Sequence, residues 1–291
     1  MREELIGKVR LNLDYYDGSE PGTVGALEDK LLPIVREGAD IEEYLLHADD
    51  GNILYQLSDI RKNLLRWYGF EDSTRLLEIG SGCGAITGLF CSSCAAVTAI
   101  EPSKKRSEIN AYRNKNSDNL EIIVGKPGSI RLEDKYDCIT LIGALDTADS
   151  LVESDNPQAE LLGKARELLK TGGLLIIATD NKYALRSLSE ARFDEQPDSG
   201  KRLSRSGLIK LMEEQGMSDV VFYYPIPDYR LPLSVYSEES LPASGVFGTE
   251  PEEYISESLK LFNERRMADE LLKDDMYKEF ANSFLVFWRK P

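Results

Sequence analysis

The residues that carry the most chemistry form one short run, Leu76-Leu77-Glu78-Ile79-Gly80-Ser81-Gly82-Cys83-Gly84. Arg75 to Ile79 reads as a short buried strand. The glycines that stop it let the backbone turn sharply and come close to a ligand, and a helix after such a turn presents free backbone N–H groups to it. Glu101 ends the next strand-like stretch, where a carboxylate can accept both hydroxyls of a ribose. These features point to a nucleoside-type cofactor. Gly80, Gly82 and Ala85 also fit the looser dinucleotide fingerprint, G-x-G-x-x-G/A. Glu78 separates the two readings: a carboxylate there would repel a pyrophosphate, yet it suits a cationic ligand that bears an amino acid.

Other residues offer themselves for catalysis or closure. Asp146, just past the fourth strand, is a candidate general base, or else a helix cap or turn residue. Asn181 and Tyr183 follow the fifth strand at the sheet edge where crevice ligands bind; they could orient an acceptor or simply end the strand. Tyr55 and Arg61 could close over a ligand carboxylate, or belong to an ordinary amphipathic helix. Tyr223, Tyr224, Asp228 and Tyr229 form an aromatic, proline-fixed segment suited to carbohydrate binding or to packing a cap on the core. His47, the single histidine, sits in an acidic stretch and reads as a surface residue. Cys91-Ser92-Ser93-Cys94 matches CxxC but has no second pair for a zinc tetrahedron, and reads as small apolar packing.

The elements that must position these groups follow from periodicity. Leu54, Leu57, Ile60, Leu64 and Leu65 recur at helical spacing, so a helix is expected over 54–67. Strands are expected over 75–79, 96–100, 120–124, 136–142 and 174–179, with helices over 85–94, 104–116 and 158–169 between them. Thr171-Gly172-Gly173 reads as the turn that stops the last of these helices. A helix over 206–215, a strand over 219–224 and a final strand over 282–288 complete the pattern. Strict alternation of strand and helix implies parallel strands with helices on both faces. The expected fold is therefore α/β, a doubly wound, mostly parallel seven-stranded sheet with an antiparallel last strand. An N-terminal helical extension and an insertion before the last strand are added to it. The expected divisions are an extension or cap over 1–70, a cofactor-binding core over 71–224, an insertion or cap over 225–281, and the last core strand over 282–291.

The 291-residue chain is 42% hydrophobic and 30% charged, a balance expected of a soluble globular protein. No run of eighteen apolar residues would span a membrane, and the charged start reads as cytoplasmic rather than secreted. The formal charge of −16 disfavours a nucleic-acid acceptor. A stretch holding Lys182, Arg186, Arg192, Lys201, Arg202 and Arg205 has a basic excess and reads as a solvated surface.

The run E-x-G-x-G-x-G at Glu78 to Gly84, the acidic Glu101 and the Thr171-Gly172-Gly173 turn resemble class I S-adenosylmethionine-dependent methyltransferases. The resemblance implies that Glu78, Gly80, Ser81, Gly82 and Gly84 hold the methionine part and that Glu101 holds the ribose. It places Pro102 and Ser103 beside the adenine and Gly143 along the methionine end. The loop after the third strand lacks the acidic residue usual in that family, and Ser129 or backbone would substitute. A narrower resemblance rests on residues 54–61, 80–88, 181–183, 223–229 and 236–242. It is to a bacterial methyltransferase group that occurs with glycosyltransferases of surface-polysaccharide synthesis. It implies a small-molecule or sugar acceptor, O-methylation, and a glycosyltransferase partner. Two alternatives stand beside it: a non-catalytic donor-binding or scaffold module in a polysaccharide-assembly complex, and a nicotinamide oxidoreductase.

Overall fold

The computed structural model describes residues 2–47, 51–190, 202–246 and 260–291. Its ten strands, numbered along the chain, are β1 (Glu3–Ile6), β2 (Val9–Asn12), β3 (Arg75–Ile79), β4 (Ala96–Glu101) and β5 (Leu120–Val124), then β6 (Tyr136–Ile142), β7 (Leu169–Asp180), β8 (Val221–Ile226), β9 (Ser234–Ser237) and β10 (Ser283–Arg289). They form one sheet in the order β1-β2-β5-β4-β3-β6-β7-β10-β8-β9. Strands β3 to β7 pair in parallel, and β10 enters antiparallel between β7 and β8, with Ser283 opposite Asp180. The order runs one way through β3, β4 and β5 and the other way through β6 and β7. The switch point between β3 and β6 is where an open α/β sheet leaves a ligand crevice.

Side chains alternate between two apolar layers along each central strand, as a sheet covered on both faces requires. Leu76, Cys138, Leu174 and Ile176 enter one cluster, while Leu77, Ile139, Leu175 and Ile177 enter the other. Cys94 is buried in the first of these layers and Cys91 packs against it, which is the packing role expected of the CxxC pair. The helices are α1 (Ala26–Glu37), α2 (Ile41–Leu46), α3 (Gly51–Leu57), α4 (Thr87–Ser93), α5 (Lys104–Arg113) and α6 (Ala148–Leu151), then α7 (Pro157–Leu168), α8 (Leu185–Ser189), α9 (Arg205–Glu214), α10 (Glu264–Lys273) and α11 (Tyr277–Phe280). Leu31 and Val35 of α1, Ile53 and Leu57 of α3 and Ile109 of α5 share a third apolar cluster.

The seven expected strands are present, but the sheet has ten. The N-terminal extension is not purely helical: it begins with the β1–β2 hairpin, and β2 lies parallel to β5 with Leu11 opposite Ile122. Gly7 turns this hairpin at φ +61, where a Cβ would stand 2.2 Å from the Lys115 carbonyl oxygen. The third additional strand, β9, extends the opposite edge beyond β8. The helix expected over 54–67 is broken. Ser58 leaves helical geometry and accepts from the Ile60 N–H, so a 3-10 turn over Asp59–Leu64 follows α3. Thr171 to Gly173 do not form a separate turn but lie inside the twelve-residue strand β7.

The basic stretch is also not a freely solvated face. Arg186 pairs with Asp228, Arg202 with Asp180, and Arg205 with Glu238 and Glu279. Arg192 and Lys201 lie outside the described residues. His47 is exposed at the end of α2.

Candidate functional site

The strand ends at the switch point open into a cleft of about 310 Å³. Its floor is the turn from β3 to α4. Gly80, Gly82 and Gly84 all take positive φ, between 54° and 80°, which L side chains rarely adopt. The loop is anchored from behind: the Gly80 and Ser81 N–H groups donate to the Ile100 carbonyl. Gly82 has open space where a Cβ would stand, so a ligand can approach its backbone.

Glu101 ends β4 and is 4% exposed. One carboxylate oxygen accepts from Gly82 N–H at 2.9 Å and the other from Ser103 N–H at 3.0 Å. These charge-assisted bonds fix the plane of the carboxylate and leave lone pairs for a ligand diol. Burial pushes its pKa upward, and the Ser103 and Gly82 amides and the Arg106 charge hold it back. Ser103 itself is fully buried and caps α5: its hydroxyl accepts from Arg106 N–H and donates to Glu20.

At the other end of the floor stand Glu78 and Arg61. Burial pushes the Glu78 carboxyl up to about 7, against a 2.6 Å bond from the Thr87 hydroxyl and the nearby Arg61 charge. Arg61 is 6% exposed, its guanidinium lies 4.0 Å from the Tyr55 ring centroid, and its Nε has no hydrogen-bond partner. An orphaned N–H on a buried cation costs on the order of 1–3 kcal/mol unless a ligand fills it. A buried acid beside a buried, under-satisfied guanidinium matches an amino acid that presents both an ammonium and a carboxylate.

Gly143, at φ +75, and Asp146 form the wall beyond β6. Asp146 accepts from the Thr179 hydroxyl at 2.5 Å, from Asp180 N–H at 3.2 Å and from the Tyr229 hydroxyl at 2.9 Å. Burial first, and the Asp180 charge second, push its pKa up to about 6. A carboxylate so placed can take a proton near neutral pH.

Ten of the sequence-derived site residues line this cleft: Tyr55, Arg61, Glu78, Gly80, Ser81, Gly82, Glu101, Pro102, Gly143 and Asp146. Five do not. Gly84 lies behind the loop, where a Cβ would meet Asn110 at 2.3 Å. Ser103 is spent on capping α5. Ser129 is exposed, donates to the Lys126 carbonyl and does not line the cleft. Asn181 is fully buried; its amide donates to the Glu279 and Ala281 carbonyls and its oxygen accepts from Tyr183 N–H. Those bonds tie the end of β7 to α11 and the residue that follows it, and Asn181 is not in the cleft lining. Tyr183 is 44% exposed beside Lys182.

Sequence reading missed several wall residues. Pro21 and Thr23 line the cleft with Glu101; Arg106 binds Glu28 at 2.7 Å and the Thr23 carbonyl at 3.0 Å. In the sequence this segment carries only turn signals, Asp17-Gly18-Ser19 and Pro21-Gly22. Arg230 lines the cleft beside Tyr229, a residue of the aromatic segment, and is bound to both Asp180 oxygens at 2.6 Å.

Residues 50–220 match the family model described as a methyltransferase domain. The chain is 28% identical to the ubiquinone biosynthesis O-methyltransferase of Pelagibacter ubique (strain HTCC1062), over 42% of this chain and 51% of that protein. The chain thus matches about half the length of that curated relative. Among solved structures, a chain of the Haloferax volcanii complex between the Trm112 methyltransferase activator and a methyltransferase gives a TM-score of 0.55 at 16% identity, covering 87% of this chain and 98% of that one. Phosphoethanolamine N-methyltransferase 1 of Haemonchus contortus, solved with phosphoethanolamine and S-adenosylhomocysteine, gives 0.52 at 13% identity, covering 93% of this chain and 51% of that one. At such identity these two likenesses concern the fold alone. With more than half of its length matched by the family model, this chain belongs to the methyltransferase-domain family, within the class I, Rossmann-like, S-adenosylmethionine-dependent superfamily.

Proposed function

We propose that this chain transfers a methyl group from S-adenosylmethionine to a hydroxyl oxygen of a small molecule, with a sugar or glycan-linked acceptor as the first class to test. The observation that carries the reading is the set of groups gathered in one cleft: Glu101 bonded to the glycine turn, the buried Glu78 beside Arg61, and Asp146 held by Tyr229. That set suits a ribose, a backbone-contacting linker, a zwitterionic amino acid and a reacting centre. The donor supplies a methyl sulfonium, intrinsically reactive toward an oxygen aligned with its carbon–sulfur bond.

The chain's residues divide the remaining work. Glu101 and the Gly82 backbone orient the nucleoside, with Pro102 beside it. Glu78 and Arg61, covered by Tyr55, hold the amino-acid end. Gly143 leaves room for the Tyr229 hydroxyl beside Asp146. Asp146 accepts the acceptor's hydroxyl proton as the oxygen–methyl bond forms and the sulfur–methyl bond breaks, leaving neutral thioether, methyl ether and protonated Asp146. We place residues 71–224 and 282–291 as the cofactor-binding core, with 1–70 and 225–281 as covers. Neither Asn181 nor Tyr183 enters this scheme, and Ser129 has no role in it.

A second reading is favoured by one observation. With the Asn181 amide fully engaged elsewhere, Asp146 is the sole survivor of the three expected catalytic residues in the cleft. A donor-binding module without transfer, acting beside a glycosyltransferase, fits that economy. Methyl-labelled donor incubated with nucleotide sugars and free sugars decides between them. Label incorporated into an acceptor, and lost with Asp146→Asn, supports transfer. Donor binding without incorporation across a broad panel, amines and phenols included, supports the module.

A further inference from the structure

The part of the cleft that the donor scheme leaves unused is the corner made by Tyr229 and its neighbours. Four constraints converge on one hydroxyl there. Asp228 accepts from Arg230 and Leu231 N–H with one oxygen and binds Arg186 with the other, which folds the segment after β8 into a fixed turn. Tyr229 N–H donates to the Ser283 hydroxyl at 2.8 Å. The Arg230 guanidinium lies 4.7 Å from the Tyr229 ring centroid while gripping Asp180. Gly143 supplies the space: a Cβ there would stand 2.9 Å from the Tyr229 hydroxyl. A phenylalanine could fill the same apolar volume, so the informative atom is the hydroxyl, which donates to Asp146.

Building on the methyl-transfer reading, we propose that Tyr229 is a positioning residue for Asp146, holding its carboxylate at the reacting end of the cleft so that a sulfonium-bearing donor displaces its proton and the neutral thioether product lets it keep the acceptor's. The charge bookkeeping is simple. Groups facing Asp146 are Thr179 and Asp180 at the end of β7, Tyr229 and Arg230 on the turn after β8, and Arg202 at 3.7 Å from Asp180. Arg230 largely neutralises Asp180, so the nearest change of charge during a cycle is on the ligand. A cation arriving favours the ionised carboxylate; its disappearance favours the protonated one. Burial raises Asp146 toward about 6, and the Thr179 and Tyr229 hydroxyls pull it back. Losing the Tyr229 donor therefore moves it higher.

The test is calorimetric titration of the full chain with S-adenosylmethionine and with S-adenosylhomocysteine, each in two buffers of different ionisation enthalpy, which counts protons released on binding. Glu78 meets the same ammonium in both ligands, so the difference between them isolates the group that senses the sulfonium. In the wild type, with the Asp146 midpoint about one unit lower in the sulfonium complex than in the thioether complex, this difference is greatest near pH 5.5, at roughly half a proton, and falls below about a tenth at pH 7.5. Tyr229→Phe moves the maximum up by roughly one pH unit. Asp146→Asn abolishes the difference. Equal proton release from both ligands at pH 6, or a Tyr229→Phe profile that superimposes on the wild type, overturns the proposal. No binding heat with either ligand instead refutes the donor reading on which it rests. Carbon-13 titration of the Asp146 carboxyl needs no variant: its midpoint falls when S-adenosylmethionine is added and moves less with S-adenosylhomocysteine, whereas an identical response to both contradicts the assignment.

Discussion

At the scale of single residues, the site stores unfavourable terms that a ligand would relieve. Glu78 is the largest. Its native pKa, pushed to about 7, stands above the ordinary carboxylate value of 4.5, so between these pH values the native state binds more protons than the unfolded chain. Stability contributed by this group is full below the unfolded value and is lost as pH rises through the native one, to an extent of roughly 3 kcal/mol. Glu78→Gln should therefore raise the melting temperature of the free protein at pH 7.5 but leave it nearly unchanged at pH 4.5, while weakening donor binding. Thermal unfolding at the two pH values checks this, and equal shifts at both would contradict it. Arg61 stores the complementary term. Arg61→Met should weaken donor binding by about 1.5–3 kcal/mol, the worth of hydrogen bonds to a charged group. A donor analogue lacking the α-carboxylate should bind wild type and variant alike; a persistent gap would show that Arg61 acts through packing alone.

At the scale of elements, the turn from β3 to α4 depends on what lies behind it. Gly84 combines φ +75 with a Cβ position 2.3 Å from Asn110 Oδ1, and Asn110 also bonds Ser81 and Thr87. Gly84→Ala should lower stability by about 1–3 kcal/mol, measured by denaturant unfolding. Gly84→Ala with Asn110→Ala should recover part of that loss by removing the clash; no recovery would assign the cost to backbone strain alone. The same turn explains what was legible in the sequence. Strands from β3 to β7, the glycine run and Glu101 carry strong local signals, because buried strands are apolar throughout and tight turns demand glycine. The β1–β2 hairpin was not legible, since Glu3-Glu4-Leu5-Ile6 is exposed or half-buried and reads as a charged start. The break at Ser58 was hidden because a 3-10 turn preserves enough helical spacing to mimic one continuous helix. Asn181 and Tyr183 sit at the right strand end, but the direction of a side chain there depends on the partner segment near Glu279 and Ala281, about which local sequence says nothing.

At the scale of the whole molecule, the sheet order decides which distant residues meet. Glu101, Asp146 and Tyr229 come from three separate segments and share one cleft because β3 lies between β4 and β6, and β10 lies between β7 and β8. The N-terminal segment is held beside Glu101 through Glu20 and Glu28, both bound at α5, so Pro21 and Thr23, remote in sequence, line the same cleft. Among the described residues no helix is long and apolar enough to cross a membrane. We propose that this cleft holds S-adenosylmethionine with Glu101 on the ribose, and calorimetric titration of wild type and Glu101→Ala with S-adenosylmethionine and with NAD is the first test. Donor binding is expected near −8 kcal/mol, on the order of a micromolar dissociation constant, weakened at least about tenfold, or ~1.4 kcal/mol, by the substitution, with no heat from NAD. Binding of NAD in place of the donor, or donor binding indifferent to Glu101→Ala, would contradict it.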